Sequence, residues 1–186
     1  MNVPNMSLKD LKIDPSWTLF LDRDGVINQR IPKDYVRNWD QFKFLPGVLD
    51  ALVVFAELFG KILIVTNQQG IGKGFYTTKD LNLIHLNMTR EVIQHGGRID
   101  KVYYCPELAA DEPACRKPNI GMGIEAMADF PEIQIGKCLI AGDSASDIVF
   151  GNRLNMRTVQ IGNREMVGAK VDYQFSDLAA FAAELK

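Results

Sequence analysis

The chain has 186 residues, of which 47% are hydrophobic and 24% charged, and it carries a formal net charge of −2. This length suits one domain with a full core, and the charge gives no sign of a nucleic-acid or membrane surface. No apolar run approaches the roughly 20 residues that span a bilayer, and residues 1–9 lack the apolar core of a signal peptide, so we expect a cytoplasmic protein.

Apolar runs and helical periodicities alternate along the chain. Residues 17–21 are uncharged and predict a first strand, and Ile62–Val65 is continuously apolar, as expected of a second strand buried on both faces. Further short strands are predicted at 102–105, 138–142, 158–161 and 173–175. Helices are predicted at 46–59, from Thr77 to Gly96, at 121–129, at 147–154 and at 177–185.

Strands separated by helices predict right-handed crossovers and a parallel sheet. The chain contains no repeat, low-complexity tract or interdomain linker, so we predict one doubly wound α/β domain over residues 1–186. About 36 residues separate Asp24 from the second strand, and they include a full helix. This spacing leaves no room for a cap domain there and predicts a small, open site.

Polar residues of catalytic type follow the strands that we place at the centre of the sheet. The set comprises, in chain order, Asp22, Asp24, Thr66, Asn67, Gln68, Arg116, Lys117, Asp143 and Asp147. Ligands of such sheets bind beyond the carboxyl ends of the strands, so these side chains should meet at one edge.

Asp22 and Asp24 are the most informative pair. If the extended conformation persists through Asp24, period-2 alternation points both carboxylates the same way, and Gly25 then lets the chain turn sharply. Taken alone, this segment is equally typical of a solvated turn. The other strand ends favour a site.

This ordered set resembles the haloacid dehalogenase superfamily of phosphohydrolases. Asp22–Val26 is similar to its first motif, Thr66 to its second, Lys117 to its third and Gly142–Asp147 to its fourth. The resemblance covers most of the chain and implies phosphoryl transfer. Two roles remain open for Asp147, support of the metal ligands or the cap of the helix that follows.

The resemblance also implies a role for each matching residue. Asp22 would be the nucleophile that forms an aspartyl-phosphate, and Asp24 would protonate the leaving oxygen and then deprotonate water. Asp22, the backbone carbonyl of Asp24 and Asp143 would hold Mg²⁺, a hard cation that prefers oxygen ligands. Thr66 and Lys117 would hold the phosphoryl oxygens.

Within the superfamily, segments 22–28, 67–74 and 115–118 are similar to the D-glycero-D-manno-heptose 1,7-bisphosphate phosphatases. Histidinol-phosphate phosphatases are their nearest relatives. The loop at 67–74 and the segment 39–47 are more similar to the heptose bisphosphate phosphatases than to the histidinol-phosphate phosphatases. The similarity implies removal of one phosphate from a sugar bisphosphate, on a route to lipopolysaccharide or surface glycans. The expected substrate contacts are Asn67, Gln68, Lys73, Arg116 and Lys117, with Arg116 available to a second phosphate.

The structural zinc usual in that family is not expected here. Of its four Cys-x-His and Cys-x-Cys ligands only Cys105 and Cys115 remain, because Glu107 stands at the His position and Pro113 at the first Cys of the second pair. Two thiols do not make a closed tetrahedral site. We therefore predict Mg²⁺ without zinc, and reduced cysteines that belong to no disulfide framework.

Two functions of other kinds are weighed against this one. A bacterial receiver domain also gathers acidic residues, Thr and Lys on a doubly wound sheet with Mg²⁺, but the Asp-x-Asp spacing and the length of this chain oppose it. A phosphatase of nucleic-acid ends shares the superfamily, but the chain has no basic excess. We predict a monomer that acts on a small-molecule sugar phosphate, and we assign no function to His85 or His95.

Overall fold

Six parallel strands form one sheet in the computed structural model, which describes residues 7–186. They are β1 (Thr18–Leu21), β2 (Lys61–Asn67), β3 (Lys101–Cys105), β4 (Cys138–Gly142), β5 (Arg157–Ile161) and β6 (Tyr173–Phe175). Their order is β3-β2-β1-β4-β5-β6, and every neighbouring pair is parallel. This confirms the predicted doubly wound sheet and places β1 between β2 and β4. Part of the segment used in the signal-peptide argument, residues 1–6, lies outside the described residues.

Five α-helices connect or follow the strands. They are α1 (Val48–Leu58), α2 (Thr78–Gln94), α3 (Gly121–Asp129), α4 (Ala145–Arg153) and α5 (Leu178–Glu184). Thr77 caps α2 in a capping box with Asp80, as the sequence predicts, and α4 begins two residues earlier than predicted because Ser144 is its N-cap. Among the described residues, no helix combines the length and apolar character needed to cross a membrane.

Helices cover both faces of the sheet, which explains why the central strands are apolar throughout. Leu19 and Leu21 of β1 belong to the core cluster that includes Phe55 of α1 and Phe181 of α5. Phe20, between them, belongs to a second cluster on the other side, with helices α3 and α4. Burial of both faces leaves the carboxyl ends of the strands as the place where polar side chains can gather.

The connection between β1 and α1 contains no cap domain. Residues 29–47 form a loop whose regular structure is one 3₁₀ turn at Trp39–Gln41, and an isolated bridge between Asn28 and Phe44 ties the loop to the end of β1. The site at this edge of the sheet is therefore covered by loops.

Candidate active site

The predicted catalytic side chains meet at the carboxyl edge of the sheet. Asp22 and Asp24 follow β1, and both line a cavity of about 510 Å³. Thr66 at the end of β2, Lys117 from the loop after β3 and Asp147 from α4 line the same cavity. The expectation that these strand ends converge is met in the structure.

Lys117 forms the centre of a buried charge cluster. Its ammonium nitrogen lies 2.9 Å from Oδ1 of Asp22 and 2.6 Å from Oδ1 of Asp147, and it also donates to the carbonyl of Val65. Burial lowers the pKa of Lys117, but the two carboxylates outweigh burial and raise it above its ordinary value. Burial also raises the pKa of Asp22, and the charge of Lys117 opposes this rise.

Asp147 caps the helix that follows it and also pairs with Lys117, and its support of the metal ligands stays a prediction. Its Oδ2 accepts hydrogen bonds from the backbone nitrogen of Ser144 at 3.0 Å and from the Ser144 hydroxyl at 2.6 Å, so it caps α4. Its Oδ1 pairs with Lys117. Gly142 permits this arrangement, because a Cβ there would lie 2.1 Å from the Cβ of Asp147.

Asp24 is held by three donating side chains. Nη2 of Arg23 lies 2.9 Å from both carboxylate oxygens, Nδ2 of Asn28 lies 2.9 Å from Oδ1, and Nε2 of Gln68 lies 2.8 Å from Oδ2. Burial raises the pKa of Asp24, but the charge of Arg23 and these hydrogen bonds outweigh it and bring the pKa below its ordinary value. The carboxylate is thus fixed in one orientation.

The residues expected to hold Mg²⁺ fit that cation. Asp22, Asp143 and Asp147 offer carboxylate oxygens that all lie within 4.8 Å of one another. The carbonyl oxygen of Asp24 and Oδ1 of Asp143 both accept from Nη2 of Arg30, at 2.8 and 2.6 Å. These two oxygens therefore converge on one positively charged atom, and an all-oxygen donor set suits a hard divalent cation.

The position of Asp143 depends on the glycine of the first motif. Gly25 has a φ of 96°, and a Cβ at this residue would lie 2.3 Å from Oδ2 of Asp143. Burial raises the pKa of Asp143, and the guanidinium groups of Arg30 and Arg164 oppose the rise.

Of the predicted substrate contacts, Lys73, Arg116 and Asn67 line the cavity. Asn67 has a further role, because its Nδ2 donates to the carbonyl of Lys117 and its Oδ1 accepts from the nitrogen of Lys117, both at 3.0 Å. It thereby fastens the loop of the third motif to the end of β2. Its contact with substrate stays a prediction.

Gln68 corrects the sequence analysis. Its side chain is buried, its Oε1 accepts from the hydroxyl of Tyr76 at 2.6 Å, and its Nε2 donates to Thr66 Oγ1 and to Asp24. It contacts two of the candidate catalytic residues and does not line the cavity, so the structure does not support its expected contact with a sugar. The next residue, Gln69, lines the cavity in its place.

Sequence analysis missed the cavity residues of the segment after β1. Arg30, Lys33 and Tyr35 line the cavity, and Nζ of Lys73 lies 5.6 Å from the centre of the Tyr35 ring. The signal was present, since this segment holds two cations within nine residues of Asp24 and leaves the same sheet edge. Among residues 7–186, Nη1 of Arg116 is a buried nitrogen without a hydrogen-bond partner, and burial lowers the pKa of Arg116.

The expectation of reduced cysteines is wrong for one pair. Cys105, the last residue of β3, forms a disulfide with Cys115, and their Cα atoms lie 5.3 Å apart. Arg116 and Lys117 follow the second cysteine directly. The two cysteines meet because the loop after β3 returns to the end of that strand, a closure that the spacing of the thiols alone does not indicate. The predicted absence of zinc stays a prediction.

The sheet, the paired carboxylates after β1 and the Thr, Lys and Asp residues on the neighbouring strand ends define a phosphohydrolase of the haloacid dehalogenase type. A family model described as polynucleotide kinase 3 phosphatase matches residues 18–186. A D-glycero-α-D-manno-heptose-1,7-bisphosphate 7-phosphatase of Mycobacterium tuberculosis is 36% identical in an alignment of 171 residues that covers 89% of this chain and 90% of the relative. The D-glycero-β-D-manno-heptose-1,7-bisphosphate 7-phosphatase of Neisseria meningitidis is 36% identical over 130 residues, 70% and 68% of the two chains.

A solved structure of a heptose bisphosphate phosphatase has the same fold as this chain. The crystal structure of D,D-heptose 1,7-bisphosphate phosphatase from B. bronchiseptica, complexed with magnesium and phosphate, superposes with a TM-score of 0.83 at 29% identity and covers 91% of this chain and 97% of its own. The chain therefore belongs to the heptose bisphosphate phosphatase family of the haloacid dehalogenase superfamily.

Proposed function

We propose that this chain removes the 7-phosphate of D-glycero-D-manno-heptose 1,7-bisphosphate with Mg²⁺ as its cofactor. The observation that carries the proposal is a cavity lined by more cationic groups than one phosphate requires. Lys117 is paired with Asp22, whereas Arg116 and Lys73 also line the cavity, and Nη1 of Arg116 is buried without a hydrogen-bond partner in the described part of the chain. The phosphate that is cleaved needs only Lys117, so Arg116 and Lys73 are available to another anion.

Asp22 would attack phosphorus and form an aspartyl-phosphate, while the bond to the sugar oxygen breaks. Asp24 would deliver a proton to that oxygen and later take one from the water that hydrolyses the intermediate. A phosphate entering beside Asp24 adds negative charge and so raises its low pKa, which favours the protonated form. Asp22, Asp143 and the Asp24 carbonyl would hold Mg²⁺, which would supply positive charge against the repulsion between carboxylates and phosphate.

Arg116 and Lys73 would bind the phosphate that is not cleaved. Binding energy from a remote group orients the reacting one, so loss of that group lowers kcat/KM and not only affinity. We propose that the chain acts as one phosphatase domain and as a monomer on this small molecule. A cytoplasmic location also stays our prediction, although the Cys105–Cys115 disulfide is more typical of oxidising compartments.

The description of the matching family model favours a second candidate, a phosphatase of nucleic-acid 3′ ends. The net charge of −2 opposes it, because binding to a nucleic-acid backbone depends on lysine and arginine neutralising phosphates. Histidinol phosphate is a third candidate substrate, from the neighbouring family.

A comparison of kcat/KM values separates these candidates. The substrates are both anomers of heptose 1,7-bisphosphate, the heptose monophosphates, histidinol phosphate and an oligonucleotide with a 3′-phosphate. We expect the bisphosphate to exceed any monophosphate by at least about 100-fold, roughly 2.7 kcal/mol. Arg116→Ala should reduce this preference, whereas Arg157→Ala, on the exposed start of β5, should not. A higher kcat/KM for histidinol phosphate or the oligonucleotide would refute the proposal.

A further inference from the structure

Arg23, between the two catalytic aspartates, is buried without contact to solvent. Its side chain has nitrogen donors and no acceptor, and burying such a cation is costly unless its donors are paired. Nη2 donates to both carboxylate oxygens of Asp24. Nε has no hydrogen-bond partner among residues 7–186, so the guanidinium orientation depends on its few remaining contacts.

The second contact of Arg23 is His85. Nη1 of Arg23 lies 3.1 Å from Nε2 of His85, which is 62 positions away in the sequence. His85 lies on the buried face of α2 with Ile84 and Met88, and its residual exposure is only 7%. Since a guanidinium only donates, Nε2 must accept, and the ring must be neutral with its proton on Nδ1. Burial, followed by the charge of Arg23, lowers the pKa of His85 to about 3 and agrees with a neutral ring.

These contacts form a continuous chain from α2 to the carboxylate of Asp24. His85 accepts from Arg23, and Arg23 donates to Asp24. Asp24 keeps 25% of its side chain exposed, whereas Arg23 has none exposed. Substrate can therefore touch the aspartate, while the arginine and histidine act from behind it.

We infer that His85 is a positioning residue that fixes Arg23 and, through it, the orientation in which Asp24 transfers its proton to the leaving oxygen. This inference rests on the role of Asp24 in the proposed function. It predicts a specific defect. A variant without the acceptor should be slow when the leaving oxygen needs a proton and nearly normal when it does not.

The test compares two substrates by kcat/KM, which reports formation of the phosphoenzyme and not its later hydrolysis. Heptose 1,7-bisphosphate releases a sugar oxygen that needs a proton, whereas p-nitrophenyl phosphate releases a stable phenolate. In His85→Leu we expect a fall of at least about 10-fold for the sugar phosphate and less than about 3-fold for the aryl phosphate, a fraction of what general acid catalysis contributes. His85→Gln restores an acceptor and should bring both values to within about 3-fold of the wild type.

Met88→Leu, a volume-conserving change on the same buried face, is the packing control. It should change kcat/KM by the same factor for both substrates. Equal losses for both substrates in His85→Leu, or no rescue by His85→Gln, would overturn the inference. Asp24→Asn is measured beside them. If Asp24→Asn loses kcat/KM equally for the sugar phosphate and the aryl phosphate, the proposed role of Asp24 fails as well. If Asp24→Asn loses more for the sugar phosphate but His85→Leu does not, only the inference about His85 is overturned.

A measurement on the unmodified protein makes the test independent of how the variants fold. Nitrogen-15 NMR of labelled histidine distinguishes the two neutral tautomers. We expect His85 to carry its proton on Nδ1 and to accept at Nε2. A proton on Nε2 would leave two donors facing each other and would overturn the inference.

Discussion

Lys117 and Asp22 form a buried ion pair of 2.9 Å although they are 95 positions apart in the sequence. The pair joins the loop after β3 to the end of β1, and Asp147 completes it from the start of α4. One ammonium group thus neutralises part of a carboxylate cluster at the site where phosphate and metal are expected to bind. We expect both folding and catalysis to depend on it.

Lys117→Met should destabilise the protein strongly in the absence of Mg²⁺. The substitution keeps a long side chain but leaves Asp22 and Asp147 buried without their cation, a defect that costs about 3–5 kcal/mol. Urea unfolding in EDTA measures the loss. Lys101→Met is the control, because Lys101 pairs with Asp129 at a half-exposed position, where an ion pair contributes about 1 kcal/mol or less. Similar losses in the two variants would contradict the importance of the buried pair.

Arg30→Gln should strengthen binding of Mg²⁺. In the present structure Nη2 of Arg30 occupies the position between the Asp24 carbonyl and Asp143, and a cation must displace it. We expect the dissociation constant for Mg²⁺ to fall by about 5-fold, roughly 1 kcal/mol, in a calorimetric titration. Arg164→Gln, whose guanidinium is more exposed and lies 3.2 Å from Asp143, should have a smaller effect. Unchanged or weaker binding in Arg30→Gln would argue against displacement.

His85 should make the stability of the protein depend on pH. The pKa of His85 is about 3 in the folded protein and 6.5 in an ordinary histidine. Between these values the unfolded chain binds one more proton than the folded chain, so the free energy of unfolding falls as the pH drops from about 6.5 towards 3. The largest contribution of one group is about 1.4 kcal/mol per pH unit.

Urea unfolding of the wild type and of His85→Gln at pH 7, 6 and 5 measures this contribution. The stability of the wild type relative to the variant should decrease towards pH 5. His95→Gln is the matched control, because His95 is exposed and pairs with Asp50. A stability difference between wild type and His85→Gln that does not change with pH would mean that His85 binds a proton as readily in the folded protein as in the unfolded chain, and would contradict the lowered pKa.

The loop from Cys105 to Cys115 should hold no zinc. Both thiols are used in the disulfide, and Glu107 and Pro113 replace other ligand positions of the family's site. Metal analysis after dialysis should find no zinc, and thiol titration of the unfolded chain without reductant should detect one group, Cys138. One zinc per chain together with three free thiols would show that the family's metal site survives in altered form.

The strands, and the meeting of the candidate catalytic residues at one edge of the sheet, could be predicted from the sequence because both follow from local patterns. An apolar run followed by Asp22 and Asp24 is a local signal, and parallel strands bring such ends together without further information. The orientation of Gln68 was not predictable in this way. Whether residue 68 or 69 faces the cavity depends on how the chain turns after β2, and the Gln68 side chain is held inside by a hydrogen bond from Tyr76, eight positions further on.

The other features that the sequence did not predict are contacts between residues far apart in the chain. Arg23 and His85 are 62 positions apart, and the helical periodicity of α2 places His85 on its buried face without indicating a partner. Cys105 and Cys115 are ten positions apart, but their pairing requires the loop between them to close. Periodicity predicts which face of an element is buried, whereas the identity of the polar neighbour depends on tertiary structure.

The most direct test of the account is a phosphorus-31 NMR spectrum of heptose 1,7-bisphosphate during turnover with Mg²⁺. We predict that the resonance of the 7-phosphate disappears as inorganic phosphate appears, while the anomeric 1-phosphate persists, and that Asp22→Asn lowers the rate by at least about 1,000-fold, roughly 4 kcal/mol in the barrier. Loss of the anomeric phosphate first, or a folded Asp22→Asn protein with a rate near that of the wild type, would contradict the account.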